Sequence, residues 1–125
     1  MNTNPLVESP SNPRDNPCYS VDPSVATLNV MADNEESVQL PYAQFLYSRL
    51  AANPVLEKEP NAPPQRLLIC FAMADVILLG SGLRAIDRAI QKHELKVVQR
   101  ADRRYAATLK THVAAVSLTF TKEAL

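Results

Sequence analysis

Glycine is nearly absent from this chain. Only Gly80 and Gly82 occur in 125 residues, so a glycine-dependent phosphate turn can stand in one place only. Tryptophan is missing and aromatics make up 6%, which leaves few platforms on which nucleic-acid bases could stack. No charge of one sign prevails: 13 basic side chains face 13 acidic ones, so whole-molecule attraction to nucleic acid or an anionic membrane is not expected. The two cysteines have unlike settings, Cys18 in a Pro-rich front end and Cys70 inside "LLICFA". No disulfide is expected between them, and a reducing cytoplasm fits best.

The front end, residues 1–23, holds five prolines, four asparagines and few bulky apolar groups. Such composition cannot offset the entropy of ordering and predicts a disordered tail. It also lacks the basic start and long apolar run of a secretory signal. A single α+β domain is expected over 24–121, with 122–125 as its C-terminal end. "LLICFAMADVILLGSGL" is the longest apolar stretch, but Asp75 in its middle would cost about 2.5–3.5 kcal/mol in a bilayer. Buried strands are the better reading, and no membrane contact is expected.

Within the domain, "VATLNVM" and "ESVQL" flank the turn residues "ADNE" and read as a hairpin, with Asp33 and Asn34 suited to left-handed backbone. Pro41 with Tyr42, Phe45, Leu46 and Leu50 at helical spacing predicts a short helix over 42–52, with a strand through "QFLYSRL" as the alternative. "RLLICFA" and "VILLG" are continuous apolar runs of strand length, joined at Met73-Ala74-Asp75 by a tight turn or a bulge. A helix from Gly82 to His93, capped by Ser81, follows. "LKVVQ" then reads as a strand, although one helix over 82–110 is a rival parse. "HVAAVSLTF" alternates as a strand and makes a plausible sheet edge. About five mostly antiparallel strands with one main helix on a face are expected.

Three candidate sites emerge. Gly80, Ser81, Gly82 and Ala85 spell G-x-G-x-x-A before a helix, with Asp102 placed to meet ribose hydroxyls, as in a dinucleotide turn. Against that reading, only one crossover is visible and the preceding strands suggest a hairpin, so a strand-to-helix junction is preferred. Arg84, Arg88 and Lys92 fall four apart and would form a positive ridge able to contact phosphates. Eight basic residues stand against three acidic between Arg84 and Lys110. His93 and His112 have no partner at metal-ligand spacing, so neither a metal nor any cofactor is expected. Ser81, His112 and an acid do not resemble a hydrolytic motif. No active site assembles. The expectation is a non-enzymatic interaction or regulatory module that self-associates or binds a protein.

Overall fold

The computed structural model describes residues 16–120. Its strands are β1 (Tyr19–Val21), β2 (Thr27–Met31), β3 (Ser37–Pro41), β4 (Phe45–Ala52), β5 (Gln65–Phe71), β6 (Ala74–Ser81), β7 (Leu95–Val98) and β8 (His112–Phe120). One helix, α1 (Arg84–Gln91), lies between β6 and β7. They form two four-stranded sheets, ordered β1-β7-β2-β3 and β4-β5-β6-β8. Only β2 and β7 pair in parallel; every other pairing is antiparallel. The α+β class holds, with more strand than the five expected.

A single apolar core joins both sheets and the helix. Leu28, Val30, Leu40, Leu95 and Val98 from the first sheet meet Leu67, Ile69, Phe71, Val76, Leu78, Val113 and Val116 from the second, with Leu83, Ile86, Ala89 and Ile90 between them. In β5 and β6 these are alternate residues, because successive side chains of a strand point to opposite faces. The intervening Leu68, Ile77 and Leu79 are only partly covered and lie outside the core cluster.

The β2–β3 hairpin forms as its pattern implies, but the left-handed residue is Glu35, at φ 71°. The helix expected over 42–52 is absent. A 3-10 turn covers Tyr42–Gln44 and strand β4 follows. Pairing with β5 overrides the helical spacing, and the spacing arises because an extra residue, Leu46, bulges between Phe45 and Tyr47. β5 and β6 turn at Ala72 and Met73, so Asp75 stands within β6, opposite Cys70 and Thr119, rather than in the turn.

Ser81 does not cap the helix. It ends β6, and the residue before the helix, Leu83, has no side-chain cap. The Leu83 amide instead donates to Gln65 Oε1 at 2.8 Å, so β5 satisfies an amide that the helix start leaves open. The helix closes at His93, whose φ of 60° is left-handed. Its amide donates to Ile90 O at 3.0 Å and that of Glu94 to Ala89 O at 2.9 Å, the paired bonds of a Schellman ending. That ending excludes a single helix through 110.

The front end also differs from its reading at Cys18, which is buried in the core. Tyr19–Val21 pairs with β7. The Val113 amide donates to Cys18 Sγ at 3.2 Å, and Asn16 Nδ2 donates to Thr111 O at 3.0 Å. Packing against β7 and β8 supplies the apolar contact that the segment's own composition lacks. Residues 1–15 of the expected tail lie outside the described residues.

Candidate functional site

The glycine turn has an internal explanation. A Cβ on Gly80 would stand 2.0 Å from the His112 carbonyl oxygen, and one on Gly82 would stand 1.8 Å from that of Lys110. Gly82 also has φ 61°. The backbone of 110–112 thus fills the space that side chains would need, and Thr111 Oγ1 fixes the approach by donating to Gly82 O at 2.8 Å. In a dinucleotide turn that space serves the pyrophosphate. The helix here also carries the chain from one sheet to the other, so β6 and β7 are not parallel neighbours of a βαβ unit.

Some of the singled-out residues nevertheless meet. Gly80, Ser81, Asp102 and His112 line an open groove of about 900 Å³, together with Arg100, Arg103 and the loop Asn61 to Pro64. Ser81 and His112 are direct cross-strand partners. The His112 ring is buried, and its Nε2 faces Ala101 O at 3.1 Å and Asp102 O at 3.2 Å. A protonated Nε2 donates to these carbonyls and pins the 101–102 backbone to β8, so that nitrogen is not offered to Ser81. The Asp102 carboxylate accepts from the Arg104 amide at 2.9 Å.

Arg84, Arg88 and Lys92 are all exposed. Asp87, the acid on the same helix, is engaged elsewhere: one oxygen accepts from Ser48 Oγ at 2.5 Å and the other from Gln91 at 3.1 Å. Among the described residues the one ion pair is Arg100 with Asp33, at 3.6 Å. His93 is exposed and stacks on Tyr42 at 4.8 Å, with Phe45 edge-on at 5.6 Å. Tyr42 donates to Leu95 O at 2.6 Å, and burial pushes its hydroxyl pKa well up. This aromatic group is a joint between the helix end and both sheets.

The acidic turn binds within its own chain. Asp33 accepts from the Val116 amide through Oδ2 at 3.1 Å and donates its own amide to Val116 O at 3.1 Å. The Ala101 amide reaches Val113 O at 3.0 Å. The edge of β8 is therefore covered as far as Val116. Its face pattern also departs from strict alternation, because Ala114 is a bulge residue that lets Val113 and Val116 both turn inward.

The surface that motif reading missed is the outer face of β4-β5-β6-β8. Strand register lays it out in three rows. Tyr47, Cys70, Asp75 and Thr119 form the first; Arg49, Leu68, Ile77 and Ser117 the second; Ala51, Arg66, Leu79 and Ala115 the third. In the first row Tyr47 and Cys70 are cross-strand neighbours. Burial pushes the Cys70 thiol's pKa up, with the neighbouring Tyr47 hydroxyl opposing and the Asp75 carboxylate reinforcing the rise. A neutral, occluded thiol of this kind is a poor nucleophile. The centre is apolar, Leu68, Ile77 and Leu79, beside a half-exposed Tyr47. The signal was present in "RLLICFA" and "VILLG". Strands wetted on one face alternate, whereas continuous apolar runs mark strands covered on both faces.

No helix among the described residues is long and apolar enough to cross a membrane. No family model, curated protein or solved structure matches the chain.

Proposed function

We propose that this chain is a non-enzymatic interaction module of the cytoplasm, which binds a protein surface through the outer face of β4-β5-β6-β8. One observation carries the reading: Leu68, Ile77 and Leu79 are large apolar side chains outside the core cluster, side by side on one sheet face. Only partly covered, they form an apolar patch of the kind that marks an interaction site. The test is binding of the apolar dye 1-anilinonaphthalene-8-sulfonate to the folded protein below about 1 μM, dilute enough to keep a weak assembly apart. The wild type should bind dye, and a Leu68→Thr/Ile77→Thr/Leu79→Thr variant should lose that binding while keeping its unfolding midpoint. A folded wild type that binds no dye would overturn the reading.

The exposed ridge of Arg84, Arg88 and Lys92, without an ion-pair partner among the described residues, favours a second reading, contact with a phosphate backbone. Affinity for a DNA or RNA duplex would then fall steeply with salt and vanish when all three become Glu. A flat salt response would rule it out. Nucleotide binding at Gly80-Ser81-Gly82 gains no support from geometry, because the chain's own carbonyls occupy the space beside both glycines.

A further inference from the structure

We infer that the occupant of the outer face is a second copy of this chain, packed face to face about a two-fold axis that runs along the Arg49–Leu68–Ile77–Ser117 row. The inference rests on the reading above and adds the partner and its geometry. A two-fold interface must be complementary to itself, and the charges of this face discriminate between the two ways of stacking it.

Rotation about an axis along the middle row exchanges the first and third rows and keeps each strand over its own copy. Leu68 then meets Leu68 and Ile77 meets Ile77. Tyr47 lies over the small Ala51, and Thr119 over Ala115. Asp75 lies over Leu79, one strand away from the other copy's Arg66. The sideways step is about 4.8 Å and the sheet separation about 10 Å, within reach of an arginine side chain. The contact occurs twice. Neither Asp75 nor Arg66 has an ion-pair partner within the described residues, the one ion pair being Arg100 with Asp33. An axis parallel to the strands instead lays β5 over β6. It sets Asp75 beside its own copy and Arg66 beside its own, which like-charge repulsion disfavours.

One feature of the face opposes the favoured stacking. Arg49 sits on the axis row at the rim and meets its own copy, although its exposure there leaves it hydrated. Area sets the strength. Four strands at about 4.8 Å and six residues at about 3.4 Å give a face of roughly 400 Å², about half the ~800 Å² per partner of a stable complex. The dimer is therefore weak and concentration-dependent.

Sedimentation equilibrium from about 10 to 500 μM, the range in which so small an interface dissociates, tests this on the full chain. The wild type should move from 13.8 kDa toward twice that mass. Asp75→Arg and Arg66→Asp should each weaken the dimer about tenfold or more, and the double swap should restore it to within about threefold. Arg49→Ser should tighten it, and Ile77→Lys should leave a folded monomer. A wild type that stays monomeric throughout overturns the inference. In that case dye binding in dilute solution leaves the outer face as a site for another protein, whereas its absence overturns both. A dimer indifferent to the Asp75 and Arg66 swaps would overturn the assigned axis.

Discussion

β5 and β6 present two apolar faces, and the fold treats them differently. On the inner face Leu67, Ile69, Phe71, Val76 and Leu78 are almost wholly sequestered among the first sheet and the helix. On the outer face Leu68, Ile77 and Leu79 stand in the same strands, one residue out of step, with no place in that core. Large aliphatic side chains occur on both faces, although only the outer one also carries charge, at Arg66 and Asp75. What separates them is the covering layer. One is supplied by β1-β7-β2-β3 and α1; for the other, this chain supplies none among the described residues. On the proposed reading, burial that completes a fold and burial reserved for association are written in one apolar run.

Substitutions should divide along the same line. The largest effect is expected at Gly80, where a Cβ would stand 2.0 Å from the His112 carbonyl. Gly80→Ala should force β6 and β8 apart and cost on the order of 4 kcal/mol in urea unfolding. The same reasoning, with φ 61° added, makes Gly82→Val an unfolding variant. Next is the inner face proper: Ile69→Ala should cost about 2–5 kcal/mol through lost burial and a cavity.

Cys18→Ala tests the seam between the sheets. It leaves the Val113 amide without the Sγ acceptor it now uses, for a loss of about 1–3 kcal/mol. Burial also raises the Cys18 thiol pKa above its ordinary 9.0. The folded state then holds its proton after the unfolded state has released it, so this contribution is complete below about pH 9 and declines as pH rises further. The wild type should lose stability across that range, and Cys18→Ala should show a shallower alkaline decline. The smallest effect belongs to the outer face, where Leu79→Thr should shift the unfolding free energy by about 0.5 kcal/mol or less.

Much of this fold can be read locally, and what cannot be read has long-range causes. The β2–β3 hairpin, the β5 and β6 runs, the helix after Gly82 and the strand at 95–98 are all carried by nearby pattern and turn chemistry. Residues 42–52 show helical spacing because of a bulge at Leu46, a property of pairing with β5 rather than of the segment. Cys18 is in the core because β7 and β8 cover it from more than 75 residues away in sequence. The motif at Gly80–Gly82 was visible, but its cause, the approach of residues 110–112, was not. The outer face was legible only as apolar runs longer than one covered face requires.

The most direct measurement compares two neighbours on β6. Ile77→Lys and Leu78→Lys place the same charge on opposite faces of one strand, and each variant can be unfolded in urea at about 1 μM, where weak assembly is absent. The account predicts that Ile77→Lys unfolds within about 1 kcal/mol of the wild type and that Leu78→Lys is not folded in buffer. If Ile77→Lys is also unfolded, the outer face is part of the monomer's own core, and its assignment as a binding surface is contradicted.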